Sequence, residues 1–216
     1  MKRIEINTWE RREIYEFFRP VSNPFYTTSF PLDVTALYTY KKAHGISFYY
    51  ALCWLCAQAV NSVENFRYTS RDGEVFLHDE RIPSFTDMRP GSELFYYVTP
   101  PFCGDLDAYC IAARECSAAQ NVFLDTSLET DALIYCTCLP NLAITAQTCI
   151  HNFSDPNEVE NNIPRLNWGK YVEIDGRKTL NLSVEVNHRF VDGIHVSRFA
   201  AALQRKIDAL AFETAE

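Results

Sequence analysis

Residues 169–188 read GKYVEIDGRKTLNLSVEVNH, and this stretch carries the clearest structural signal in the chain. Two runs that alternate apolar and polar residues flank Asp175-Gly176, a dipeptide that readily accepts the left-handed conformation of a tight hairpin turn. The pattern predicts a β-hairpin whose second strand delivers His188 at its end. The hairpin therefore places a histidine at the edge of a sheet.

Outward from the hairpin, apolar residues recur at helical spacing in five segments. A first helix is expected to begin near Thr8, where Asn7 or Thr8 can cap it, and to stop before Pro20. The other predicted helices cover residues 35–42, 47–63, 106–119 and 195–210. The last of these is amphipathic, with Val196, Phe199, Leu203 and Ile207 on one face.

Alternating or continuous apolar runs predict the strands. They cover residues 24–35, 66–85 with a hairpin turn at 71–73, 94–98, and a buried pair over 133–138 and 143–149 that is joined at Pro140-Asn141. Strands mixed with helices in this way indicate an α/β layered domain. At 216 residues, the chain is expected to form a single domain spanning 1–216.

Bulk composition excludes several classes of partner. The formal net charge is -8, and lysines and arginines form no basic stripe, so neither nucleic acid nor an anionic membrane is an expected partner. The N-terminus lacks the apolar core of a signal peptide, and the longest apolar run, 48–60, is too short to cross a bilayer. We expect a cytoplasmic protein.

Eight cysteines lie mostly inside apolar stretches, which is typical of free thiols packed as small hydrophobic residues. Cys53 and Cys56 form a CxxC, but their segment is apolar and helical in period. No second pair and no histidine stands at ligand spacing. The sequence therefore predicts no metal site.

The corner after the predicted strand has more than one interpretation. A lone histidine such as His188 is often structural, yet its unperturbed pKa of about 6.5 also suits a general base at a strand end. Asp192 can cap the last helix by accepting from its free amides. A metal site formed by these two residues is disfavoured, because no further ligand completes a set.

The stretch NHRFVDGIHVSRF, residues 187–199, resembles the HHxxxDGFHxxRF signature of the chloramphenicol acetyltransferase family. Three further stretches are similar to family motifs in the same order: WERREIYEFF, FYYALCWLCAQAVN and FRYTSRDGEVFLHDERIPSFT. The resemblance implies a two-layer α/β sandwich of the CoA-dependent acyltransferase type, with a mixed sheet and helices on one face. It also implies a homotrimer with sites between subunits, and transfer of acetyl from acetyl-CoA to a hydroxyl of a small-molecule acceptor.

The resemblance also implies residue roles. His188 falls on the catalytic base, whose other ring nitrogen bonds to its own backbone carbonyl in the family, and Asn187 replaces the first histidine of the pair. Arg11 and Asp192 fall on a supporting ion pair. Thr137, in the stretch TCLPN, stands where the family has the serine that stabilises the oxyanion.

The remaining implied positions contact the two substrates. The acceptor side comprises Phe17, Phe18, Phe95, Tyr97, Cys149 and Asn167, and the CoA side comprises Lys170 and Tyr171. Several acceptor positions depart from the family pattern, so the shared chemistry does not fix the alcohol. The alternative is a catalytically weak or inactive trimeric relative that binds a small molecule in a drifted acceptor pocket.

Overall fold

The computed structural model describes residues 1–89, 91–152 and 162–213. Within these residues the helices are α1 (Arg12–Phe18), α2 (Thr35–His44), α3 (Phe48–Asn61), α4 (Leu106–Ala119) and α5 (Gly193–Glu213). The strands are β1 (Lys2–Ile4), β2 (Phe25–Asp33), β3 (Tyr68–Arg71), β4 (Glu74–Leu77), β5 (Ile82–Met88), β6 (Phe95–Val98), β7 (Leu133–Leu139), β8 (Arg165–Gly169), β9 (Val172–Ile174) and β10 (Arg177–Asn187).

The main sheet is mixed. Its strand order is β2-β10-β8-β7-β5-β6, and β9 pairs with β10 beyond the end of β8. The contacts of β7 with β5 and with β8 are parallel, whereas the other pairings are antiparallel. A separate small sheet has the order β1-β4-β3.

The side chains of β10 show how the two faces of the main sheet differ. Its even-numbered residues from Leu180 to Val186 are apolar and belong to the hydrophobic core, on which α2, α3 and α5 pack. Its odd-numbered residues from Asn181 to Asn187 are polar and point to the opposite face, as the period of two requires. The predicted α/β sandwich, with a mixed sheet and helices on one face, is confirmed.

Both predicted Asp-Gly turns are present. Asp72 and Gly73 have φ values of 51° and 78°, and Asp175 and Gly176 have 51° and 79°, so each pair adopts the left-handed conformation that a tight hairpin needs. The amphipathic C-terminal helix is confirmed as well. Its predicted apolar face is buried in the core.

The prediction of a strand over 143–149 is wrong. Strand β7 pairs in parallel with its neighbours, and the chain after Pro140 continues without regular structure across the polar face of β10. We call residues 141–150 the crossing segment. Side chains of β10 satisfy its backbone, because Asn181 Nδ2 donates to Ile144 O at 3.1 Å and Gln147 N donates to Ser183 Oγ at 3.0 Å.

The first helix also differs from its prediction, because it begins at Arg12 rather than near Thr8. Residues 6–8 form a single 3₁₀ turn, and the following Trp9 is extended. The indole of Trp9 packs against Tyr15 and Tyr68, with ring centroids 5.8 and 4.9 Å apart. Tertiary packing of this side chain therefore overrides the helical spacing of the segment.

All eight cysteines are free, and Cys53 and Cys56 are completely buried. Burial raises the pKa of both thiols well above the ordinary range, which disfavours the reactive thiolate. The part of the chain that the structure describes contains no cluster of three or more residues suited to hold a metal ion. In that same part, every helix is too short or too polar to cross a membrane.

Candidate active site

His188 is the first residue after β10, in a corner formed by residues 187–193 that we call the histidine corner. Its N–H donates to Pro24 O at 2.8 Å, and its ring stacks on Phe18 with centroids 4.3 Å apart and planes 12° apart. Nδ1 is buried 3.1 Å from Asp192 Oδ1, whereas 37% of the side chain is exposed. The exposed edge of the ring therefore carries Nε2.

Arg11 holds the histidine corner from α1. Its guanidinium is buried and donates to both carboxylate oxygens of Asp192, to Arg189 O at 2.8 Å and to His188 O at 3.0 Å. Burial alone would raise the pKa of Asp192, but the bonds and charge of Arg11 outweigh it and the pKa lies below its usual value. Asp192 is therefore an ionised carboxylate in a bidentate pair.

The resemblance implies a bond from Nδ1 of His188 to its own carbonyl, and the structure differs. In the described part of the chain Nδ1 makes no hydrogen bond, and the carbonyl accepts from Arg11. An ionised carboxylate close to Nδ1 still favours a proton on that nitrogen. In the neutral imidazole, this tautomer leaves Nε2 unprotonated.

Asp192 does not cap α5 with its side chain, so that interpretation is wrong. Its carboxylate faces Arg11, and its backbone N–H donates to His195 Nδ1 at 2.9 Å. A ring nitrogen that accepts is unprotonated, and burial lowers the pKa of His195 in agreement with a neutral ring. His195 therefore stabilises the start of the helix.

Asn187 has a structural explanation. Its side chain is completely buried, and Oδ1 accepts from Arg189 N at 3.0 Å. Its own N–H donates to Asn162 Oδ1 at 3.2 Å, and Asn65 Nδ2 donates to Phe190 O at 2.9 Å. Three asparagine side chains, those of Asn187, Asn162 and Asn65, thus bond to the backbone of this turn.

Thr137 belongs to a second group of residues. Strand register and hydrogen bonds align six side chains across the polar face of the main sheet, a set that we call the polar row: Tyr97, Thr86, Thr137, Asn167, Ser183 and Ser29. Thr86 and Thr137 hydroxyls lie 2.8 Å apart, and so do those of Ser29 and Ser183. The hydroxyls therefore hold one another in adjacent pairs.

The crossing segment covers part of the polar row. Asn167 Nδ2 donates to Cys149 Sγ at 3.1 Å. Burial, reinforced by the nearby charge of Glu185, raises the pKa of Cys149 to about 11. This thiol is protonated at neutral pH and is not an activated nucleophile.

A buried charged cluster lies beside the polar row and secures the crossing segment. Glu185 accepts from Thr27 Oγ1 at 3.0 Å and from His151 Nε2 at 2.7 Å. Arg165 Nη1 completes the cluster, 2.7 Å from His151 Nδ1 and 3.4 Å from Glu185 Oε1. Burial opposes ionisation of Glu185, but these neighbours outweigh it and lower its pKa.

His188 and Thr137 do not meet within one chain. Ser183 of β10 lies level with Thr137 of β7, with β8 between them. Ser183 precedes His188 by five residues along the chain. Five residues extend about 17 Å along a strand, and two strand spacings add about 10 Å across the sheet. A base and an oxyanion donor that serve one reacting carbonyl must each reach it within roughly 3 Å. The chain therefore holds two separate half-sites.

The sequence model of the family described as chloramphenicol acetyltransferase matches residues 1–204. The chain belongs to the chloramphenicol acetyltransferase family. Chloramphenicol acetyltransferase 3 of Escherichia coli is 28% identical over 206 residues, which cover 94% of each chain. Chloramphenicol acetyltransferase 2 of Haemophilus influenzae is also 28% identical, over 95% of this chain and 96% of its own.

Solved structures agree with this membership. A chloramphenicol acetyltransferase superposes with a TM-score of 0.84 and 27% identity, covering 96% of this chain and all of its own. A probable dihydrolipoamide acetyltransferase from Listeria monocytogenes, at TM-score 0.65 and 16% identity over 99% and 97% of the two chains, shares the fold. The predicted family and the predicted acyltransferase class are confirmed.

The positions that the sequence predicts on the acceptor side divide between the two half-sites. Phe18 lies on His188, whereas Phe17 is 72% exposed and turned outward. Phe95 and Tyr97 pack together with ring centroids 5.8 Å apart, at the β6 end of the polar row. Cys149 and Asn167 contact each other at its centre.

The two residues expected toward CoA lie beside a basic aromatic patch. Lys170 is exposed, and Tyr171 packs against Tyr38 with centroids 5.5 Å apart. The ammonium groups of Lys42 and Lys178 lie 4.6 and 4.5 Å from the centre of the Tyr38 ring. Positive charge and aromatic surface thus coincide near the β9–β10 hairpin.

Sequence reasoning missed several residues at both half-sites. Arg189 fills a variable position of the family signature, although a charged residue in an otherwise apolar turn was a usable signal. Thr86 ends a motif that was recognised without giving this residue a role. Glu185 and His151 are separated by 34 positions, and nothing local shows that they meet.

Proposed function

We propose that the chain is an acetyl-CoA-dependent O-acetyltransferase, formed as one domain over residues 1–216, in which His188 is the general base. The observation that carries this proposal is the orientation of the imidazole. Nδ1 is buried against Asp192 while the edge with Nε2 is exposed. The location that we propose, the cytoplasm, rests on the sequence alone.

In the proposed reaction Nε2 of His188 takes the proton of the acceptor hydroxyl as that oxygen attacks the acetyl carbon of the thioester. The resulting tetrahedral oxyanion accepts a hydrogen bond from Thr137. When the carbon–sulfur bond breaks, the CoA thiolate receives the proton from His188, and the acetyl ester leaves. A positioned base of this kind contributes about 10²- to 10⁴-fold in rate.

Thr86 supports the role of Thr137. If the Thr86 hydroxyl donates to Thr137 Oγ1 across their 2.8 Å contact, the hydrogen of Thr137 is free to donate to the oxyanion. A donor of this kind contributes about 2.7 to 4 kcal/mol in the transition state.

Two half-sites in one chain support the proposal that the active site forms between subunits of a homotrimer. In a ring, the histidine corner of one subunit faces the polar row of the next. Mixing His188→Ala with Thr137→Val subunits before assembly tests this arrangement. Random mixing restores about one site in four in a closed ring, since a complete site needs one intact half from each variant. Activity that stays at the level of the separate variants would contradict a shared site.

Both substrates have matching surfaces. The exposed Lys42 beside the Tyr38 ring suits the phosphates of acetyl-CoA. Phe95, Tyr97 and the 58% exposed Phe123 suit an alcohol with an apolar or aromatic body.

Release of free CoA thiol from acetyl-CoA tests the proposed function. Chloramphenicol and a panel of alcohols are compared with a reaction that lacks acceptor. Release that depends on any acceptor supports the enzyme, and release with chloramphenicol identifies the substrate and a role in antibiotic resistance. Binding of acetyl-CoA without transfer to any acceptor would instead support the binding-only relative.

A further inference from the structure

Two buried arginines tie the histidine corner to α1 in opposite directions. Arg11, at the start of α1, donates to the carbonyls of His188 and Arg189. Arg189, in the corner, donates in return to Phe18 O from Nε at 3.3 Å and to Arg19 O from Nη2 at 2.5 Å. Both ends of α1 are therefore fastened to the segment that carries the base.

The end of α1 that Arg189 holds also carries the ring that covers the base. Phe18 is the last residue of α1 and stacks on His188. The last carbonyls of a helix have no partners within it, and a guanidinium at that end both satisfies them and interacts favourably with the helix dipole. Holding these carbonyls fixes the position from which the Phe18 ring projects.

We propose that Arg189 is a positioning residue: it fixes the end of α1 so that Phe18 holds the His188 imidazole with Nε2 directed at the acceptor. This inference rests on the proposed function of His188. Arg189 is only 5% exposed, and its guanidinium donates to backbone carbonyls of another segment. It acts on the reaction only through the two rings.

Asp192 does not fix the imidazole by itself. It approaches one edge of the ring at 3.1 Å without forming a hydrogen bond, so rotation about the Cβ–Cγ bond is restrained mainly by what covers the ring faces. The stacked Phe18 covers one face, and Tyr26 approaches at 4.7 Å with its plane tilted by 44°. Loss of the stacked ring lets Nε2 turn away from the acceptor.

The test compares Arg189→Met, which keeps the apolar stem but removes every donor, with the matched control Arg12→Met. Arg12 lies on the same helix but is exposed and pairs with Glu16 at 2.9 Å. In protein labelled with ¹³C-histidine, we expect the His188 ring signal, assigned by its absence in His188→Ala, to carry an upfield ring-current shift from the stacked Phe18. We expect Arg189→Met to lose this shift, Arg189→Lys to regain part of it, and Arg12→Met to keep it.

Kinetics provide a second readout in the assembled enzyme. We expect Arg189→Met to lower kcat by roughly ten- to a hundredfold through misplacement of the base, with KM for acetyl-CoA unchanged. In a Phe18→Leu background the same substitution should lower kcat little further, because both changes act through one ring. Additive effects of the two substitutions would overturn the proposal.

A folded Arg189→Met protein with an unchanged His188 signal would also overturn it. If Arg189→Met does not fold, Arg189→Gln, which keeps a shorter stem and an amide donor, takes its place and the same outcomes apply. The ring-current measurement does not depend on turnover. A wild-type protein that transfers no acetyl but shows the expected ring shifts would refute the proposed function and leave the positioning contact intact.

Discussion

The histidine corner and the polar row are built in different ways. In the corner, Arg11, Arg189 and Asn187 are almost completely buried and bond to backbone groups, and Arg11 also pairs with Asp192, while one edge of the His188 ring stays exposed. In the polar row, hydroxyls such as those of Thr86 and Thr137 bond to each other and can exchange partners. A base needs a fixed direction, whereas an oxyanion donor needs only a hydroxyl at the right distance.

Removal of the proposed base should have the largest effect. We expect His188→Ala to lower turnover of any accepted alcohol by at least about a hundredfold, because the hydroxyl then loses its proton acceptor. Thiol release measures turnover, and light scattering measures assembly, which should not change. His44→Ala is the matched control, since His44 lies on α2 and pairs with Asp107. Near-normal activity of His188→Ala would rule out the mechanism.

Removal of the hydroxyl from the polar row should have the next largest effect. We expect Thr137→Val to lower kcat by about a hundredfold, since the oxyanion loses one donor. Thr137→Ser keeps the hydroxyl and should stay within a few-fold of the wild type. Equal loss in both variants would show that the threonine methyl group, and therefore packing, is what the position supplies.

Local sequence patterns correctly predicted elements on the side of the main sheet that faces the helices. The alternation in β10 and the Asp175-Gly176 turn both express backbone preferences that act within a few residues. The crossing segment was mispredicted because its apolar residues suit a strand, whereas its backbone groups are satisfied by Asn181 and Ser183 of β10. That compensation is tertiary and leaves no local pattern.

The residues of the candidate site likewise divide into those that a local pattern reveals and those that only tertiary structure reveals. His188, Arg11 and Asp192 could be named because a motif fixes their identity and spacing. The role of Arg189 could not, since it donates to carbonyls about 170 positions away, and any residue type can present a carbonyl. Nor does the sequence show that Thr137 and His188 lie far apart in one chain, because only the strand register sets that distance.

Substitution of Asp192 distinguishes the contribution of the histidine corner to stability from its contribution to activity. We expect Asp192→Asn to cost about 3 kcal/mol in the free energy of unfolding, because it strands the buried charge of Arg11. The activity of the folded fraction should fall by a smaller factor. Chemical denaturation with thiol release on the same samples measures both quantities. Asp208→Asn, at an exposed carboxylate bonded to Gln204, is the control and should change stability by less than about 0.5 kcal/mol. A large loss of activity with normal stability would make Asp192 a direct participant.

Substitution of Glu185, on the polar face of the main sheet, should have the smallest effect on stability, and this effect should depend on pH. Its pKa is lowered in the folded protein, so its charge stabilises the fold above the unfolded pKa of about 4.3, and this contribution is lost as the pH falls through the folded value. We expect Glu185→Gln to cost about 1 kcal/mol at pH 7, since the amide still accepts from Thr27, and the cost should shrink below about pH 4. Urea unfolding of both proteins at pH 7 and in acid measures the difference. A loss of stability that is independent of pH would mean that the shape of the side chain, rather than its charge, secures the crossing segment. A loss larger than that of Asp192→Asn would place the more rigid half-site on the polar face.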